Sequence, residues 1–135
     1  MSPGPLIEVE DLRVVFGSGE MAVAAVDGVS FTVRRGEAFG LIGESGCGKS
    51  TVLRALVGLN TAYDGTIRFD GQEVAHRRGR PFFRHVQMVF QDPYGSLHPR
   101  KMVQHVLEEP LKIHGFDRPK QRIDAILTAV GLGPS

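Results

Sequence analysis

The sequence predicts an α/β fold: an N-terminal antiparallel β layer, a core built on a glycine-rich phosphate loop, and the start of an α-helical subdomain. The first observation behind this is the loop. Gly43-Glu44-Ser45-Gly46-Cys47-Gly48-Lys49-Ser50 matches G-x-x-x-x-G-K-[ST] and lies between an apolar run, Ala38 to Ile42, and a helix-forming series, Thr51 to Val57. Strand, glycine loop and helix in that order turn such a pattern into a site. The second is the β signature ahead of the loop, short apolar segments split by turn dipeptides. The third is the helical spacing of apolar residues after Tyr94.

Leu6-Ile7-x-Val9 and Leu12-x-Val14-Val15-Phe16 are two apolar patches divided by Glu10-Asp11, so one strand with a kink or bulge is expected. Gly17 to Glu20 reads as a turn. Met21 to Val26 reads as a second strand, and Asp27-Gly28 as a tight turn into Val29-x-Phe31-x-Val33, which alternates as a half-buried strand does. Arg34 to Glu37 turns the chain into a buried strand, Ala38 to Ile42. The helix after the loop carries Val52, Leu53, Leu56 and Val57 on most of its sides, and Gly58 ends it. Thr66 to Phe69 is a strand, with Asp70-Gly71 as a hairpin turn into Gln72-Glu73-Val74. The basic stretch His76 to Arg84 is expected to be a solvated loop or short helix. Val86 to Phe90 has the continuous apolar character of a buried parallel strand, broken at Gln91-Asp92-Pro93. In the helical part, Met102, Val103, Val106 and Leu107 form one stripe closed by Pro110. Asp117 is expected to cap a helix starting near Pro119, lined by Ile123, Ile126, Leu127 and Val130 and ended by Gly131.

A chain of 135 residues suffices for one domain. Its net charge of +1 gives no argument for nucleic acid or an anionic membrane surface as partner. The single cysteine, Cys47, excludes an internal disulfide and fits a reducing compartment. No apolar run approaches the ~20 residues of a membrane span, and Met1 to Pro5 lack a signal-peptide pattern. A cytoplasmic location is therefore expected.

The loop's residue types fit one chemistry. Triphosphate oxygens are met by inward-pointing backbone N–H groups, which requires small residues free to adopt positive φ, here Gly43, Gly46 and Gly48. The helix after the loop adds unpaired N–H groups and the positive end of its dipole. Lys49 is expected to reach the β- and γ-phosphates of a nucleotide triphosphate, and the Ser50 hydroxyl to ligate Mg²⁺. For Cys47, a redox switch and a small tolerated loop residue both stay open. The five histidines show no metal-ligand spacing and read as surface or loop residues.

These residues resemble the ATP-binding subunits of ABC transporters, over nearly the whole chain. Gly43 to Ser50 with Thr51 is similar to the family's P-loop, and Gln91 stands where its Q-loop glutamine does. Phe16 stands where the family places the aromatic that stacks on adenine, and Val26 to Phe31 resembles its stretch ahead of the loop. Gln91 to Arg100 and Glu109-Pro110-Leu111 are closest to the branch that imports dipeptides, oligopeptides, glutathione or nickel, although His98 stands where Asn is commoner.

The resemblance implies a P-loop NTPase core over residues 6–92 and the start of the helical subdomain over 93–135. It implies ATP and Mg²⁺ as cofactors. Phe16, the loop Gly43, Glu44, Ser45, Gly46, Cys47, Gly48, Lys49, Ser50 and Thr51, and Gln91 form the nucleotide site, with Ser50 and Gln91 on the metal. It implies transmembrane permease subunits and a second ATP-binding subunit, head to tail, as partners, at the inner face of the membrane. The family's signature motif, Walker B strand and switch histidine do not follow Gln91 within these residues, so an incomplete domain, marginally folded or partner-dependent and without hydrolysis of its own, is expected. A small-molecule kinase or GTPase is the rival enzyme class. The β-rich start and the long gap to Gln91 argue against it. A non-hydrolysing nucleotide-binding or interaction module is the other alternative.

Overall fold

The computed structural model describes residues 4–133. Two compact units divide the chain, Met1–Val86 and Gln87–Ser135.

In the first unit, strand β1 (Ile7–Phe16) is the centre of an antiparallel sheet. It pairs with β2 (Val23–Val33) on one side and β3 (Asp64–Phe69) on the other, and β3 pairs with the short β4 (Gln72–Glu73). The sheet order is β2-β1-β3-β4. Between β2 and β3 lies helix α1 (Lys49–Leu56), and after β4 comes the short helix α2 (Arg80–His85).

The expected irregularity at Glu10-Asp11 is a bulge with a purpose. In a regular strand Val9 and Leu12 would point to opposite faces. Here β1 spends three steps, from Val9 to Leu12, against two on β2, from Phe31 to Val29. Asp11 takes φ 48 and its N–H donates to the Ser30 hydroxyl at 2.8 Å. The parity of the strand is thereby reset, and Val9, Leu12 and Val14 all enter the core. There they meet Val26 of β2, Ile67 of β3, and Val52, Ala55 and Leu56 of α1.

Two strand expectations change. Residues 21–33 are not two strands joined by a turn: β2 is continuous through Asp27-Gly28, and Gly28, at φ 70, sits in a second bulge between the Val29 and Val26 pairings. β1 is long enough to pair along nearly all of β2, so the ladder holds across the dipeptide. The apolar runs 38–42 and 86–90 form no strand. A buried parallel strand exists only where neighbours accept its ladder, and none of the described strands does so. Ile42 and Val89 are almost fully exposed in consequence, at 98% and 95%. Helix α1 buries one face, not most sides: Leu53 faces out.

The second unit is helical: a single turn, α3 (Pro93–Ser96), then α4 (Val103–Ile113) and α5 (Pro119–Ala129). Asp92 caps α3 by accepting the Tyr94 N–H at 3.0 Å. Pro110 does not end α4. It stands inside it, and the helix closes three residues on, where the His114 N–H donates to the Pro110 carbonyl. Leu107, Pro110 and Leu111 share a hollow with Ile123 and Ile126 of α5, and contact with α5 supports this part of α4 despite the lost backbone donor. Asp117 is not the cap of α5. Arg118 takes that place at φ 53, while the Asp117 carbonyl accepts from Arg122 Nε at 2.9 Å. Gly131, at φ 77, follows the helix end as expected.

Candidate phosphate-binding site

The loop 43–48 joins the irregular segment after β2 to the first turn of α1. Its form is set where it touches the sheet. Gly48 precedes α1 at φ 91 and ψ −1. A Cβ at this position would stand 2.2 Å from the Ala25 carbonyl oxygen and 3.2 Å from Val26 Cγ2, so only glycine allows the loop to lie on β2. Gly46 also has positive φ, 82. Gly43 does not share that conformation, contrary to expectation. Its lack of a side chain instead makes room for Cys47, whose Sγ would lie 2.6 Å from a Cβ there.

The Lys49 side chain folds back over the loop. Its ammonium donates to the carbonyls of Gly43, at 2.7 Å, and Glu44, and lies 3.4 Å from Cys47 Sγ. A positive charge is thus held inside the ring of loop backbone. The first intrahelical bond of α1 runs from the Val52 N–H to the Gly48 carbonyl at 2.9 Å. The N–H groups of Lys49, Ser50 and Thr51 therefore have no intrahelical acceptor, and no side chain caps them. Amides without an intrahelical acceptor, a helix N-terminus and an ammonium are thus gathered within residues 43–51, a donor set suited to phosphate oxygens. Burial of Val52, Ala55 and Leu56 anchors α1 in the core behind it. Glu44, Ser45, Cys47 and Ser50 are exposed, and Thr51 is half-buried.

Phe16 lies near the loop in the sheet register. It ends β1 paired with Val23, two residues along β2 from the Ala25 carbonyl that abuts Gly48. From strand spacing and rise the separation along the sheet is on the order of 8 Å. Its ring is half exposed, leaving a face free to stack. Gln91 is exposed and belongs to the second unit. Among the described residues no group of three or more His, Cys, Asp or Glu side chains could hold a metal ion. The Ser50 hydroxyl, one residue past Lys49 and open to solvent, fits a metal bound together with phosphate oxygens rather than by the protein alone.

A groove of about 440 Å³ runs from Lys49 and Ser50 along Phe31, Phe39, Leu41 and Leu53. Phe31 and Phe39 stack across it, with centroids 5.0 Å apart. Sequence reasoning missed this contact, because residues 38–42 were expected to pair as a strand rather than to pack by side chains.

The family model described as ABC transporter matches residues 26–134. The chain belongs to the ABC transporter family. It is 44% identical over 138 residues to the putative oligopeptide transport ATP-binding protein YkfD of Bacillus subtilis, covering 96% of this chain and 42% of that protein. With the oligopeptide transport ATP-binding protein OppF of the same organism it shares 43% identity over 135 residues, 94% of this chain and 44% of that one. The chain thus spans less than half the length of these ABC relatives. Solved structures share its fold, among them two ATP-binding cassettes. The dimeric post-hydrolysis ATP-binding cassette MJ0796, bound to ADP and Pi, gives a TM-score of 0.70 at 21% identity, over 92% of this chain and 57% of that one. A nucleotide-free ATP-binding cassette from an ABC transporter gives 0.65 at 22%, over 96% and 55%. No helix among the described residues is long and apolar enough to cross a membrane.

Proposed function

We propose that this chain is the triphosphate-gripping part of an ABC ATP-binding subunit, and that the longer protein powers the import of peptides or related small solutes. The observation that carries the first half is the presence within one short stretch of the Lys49 ammonium folded over the loop, two positive-φ glycines and the uncapped first turn of α1. Adenine stacks on Phe16. The β- and γ-phosphates take the loop amides and Lys49. The Ser50 hydroxyl would hold Mg²⁺. When bound, Mg²⁺ neutralises charge on the phosphate oxygens; the chain's own residues bind and orient. The names of the YkfD and OppF relatives support the peptide solute. They also support permease subunits as partners at the membrane's inner face, and the dimeric cassette supports a second ATP-binding subunit.

A second reading, a nucleotide-binding or interaction module without turnover, is favoured by one observation: runs 38–42 and 86–90 belong to no strand, and Ile42 and Val89 are exposed. On this view the 135-residue chain binds ATP weakly and does not hydrolyse it. Calorimetric titration with Mg-ATP tests both readings. The expected result is binding by the chain, lost in Lys49→Ala, without phosphate release. Steady-state release abolished by Lys49→Ala would overturn the second reading; equal isotherms for the two chains would overturn the first.

A further inference from the structure

Arg78 grips the end of α1 that lies away from the phosphate loop. Its Nη2 donates to the Ala55 carbonyl at 3.1 Å, in the last turn of the helix. Its Nη1 donates to the Tyr63 hydroxyl at 3.2 Å and to the Ala75 carbonyl. The guanidinium carbon lies 5.2 Å from the centroid of Phe82 and 5.9 Å from that of Tyr63. Its stem crosses the chain at Gly58, where φ is 77 and a Cβ would stand 2.3 Å from Arg78 Cγ. The Nε is buried with no partner among the described residues, so the planar fork is held by its other contacts. Arg77 and Arg80, by contrast, are exposed. One arginine of a basic stretch has been turned inward, onto a helix terminus where positive charge is favoured.

Helix α1 spans eight residues, about 12 Å at the usual rise. A helix this short moves as a rod. Tilting its last turn tilts the first, where Lys49, Ser50 and the unpaired amides stand. Core burial of Val52, Ala55 and Leu56 fixes one side of the rod but is non-directional. The Arg78 fork is directional, joining the Ala55 carbonyl to Tyr63 before β3 and to Ala75 after β4.

We propose that Arg78 is a positioning residue for the phosphate loop: by clasping the last turn of α1 it sets the angle at which the first turn meets the triphosphate. This rests on the nucleotide reading above. The test uses the full chain and two variants. Arg78→Met keeps most of the stem and removes the fork. Arg78→Lys keeps the charge with a single donor centre. Mg-ATP affinity is measured by calorimetry at a temperature where circular dichroism shows each chain folded. The expected result is affinity about 3–10-fold weaker in Arg78→Met, with Arg78→Lys in between. A merely structural role lowers Tm and leaves the Kd of the folded chain unchanged. A Kd within about twofold of the unsubstituted chain in the folded variants overturns the proposal alone. No binding by the unsubstituted chain overturns the nucleotide reading and this proposal with it. If Arg78→Met does not fold, Arg78→Lys carries the same comparison.

Discussion

Replacing Gly48 with alanine separates two costs that most glycine substitutions mix. At φ 91, a Cβ on residue 48 meets the left-handed penalty of about 1–2 kcal/mol. It also stands 2.2 Å from the Ala25 carbonyl oxygen, which is backbone and cannot rotate away. The loop must lift off β2, an overpacking cost of about 1–3 kcal/mol. Reduced freedom of the unfolded chain returns about 0.4–1 kcal/mol. The net expectation is a loss of about 2–4 kcal/mol, from these contributions. Gly46→Ala is the control. Its φ of 82 is similar, but nothing lies within 4 Å of the added Cβ. It should lose only about 1 kcal/mol. Urea melts of the two variants should therefore differ by about 1–3 kcal/mol, or roughly 5–15 °C in Tm for a unit of this size. Equal destabilisation by the two substitutions would refute the claim that contact with β2 sets the loop's form.

Two further outcomes follow from the packing. Leu12→Ala removes a side chain with no exposure at the centre of the core, so chemical denaturation should show a loss of about 2–5 kcal/mol. Pro110→Ala restores a backbone donor within α4 at the expense of some contact with α5; helicity and the melting point of the second unit should rise, by up to about 3 kcal/mol in stability.

Much of the first unit was legible because its signals are local. The split of Leu6–Phe16 at Glu10-Asp11, the Asp70-Gly71 turn and Gly58 after α1 each announce a backbone event within a few residues. The positive φ of Gly46 and Gly48 was legible for the same reason, whereas the contact of Gly48 with the Ala25 carbonyl of β2 was not. What was not legible depends on distant partners. Asp27-Gly28 reads as a turn until a long β1 is there to pair across it. Residues 38–42 and 86–90 carry apolar strand composition, but a strand needs neighbours, and composition does not supply them. Arg78 looked like one of several solvated arginines, because Ala55 and Tyr63 lie 23 and 15 residues away from it. Pro110 and Asp117 show the opposite error, where strong local rules were overridden, one by helix packing and one by the choice of Arg118 as the first flanking residue of α5.

Amide NMR during titration with Mg-ATP and, separately, AMP addresses the loop most directly. Gripping of the phosphate tail predicts that the N–H resonances of Gly46, Gly48, Lys49 and Ser50 move with ATP and stay nearly still with AMP. Shifts confined to other residues, or equal responses to the two nucleotides, would contradict it.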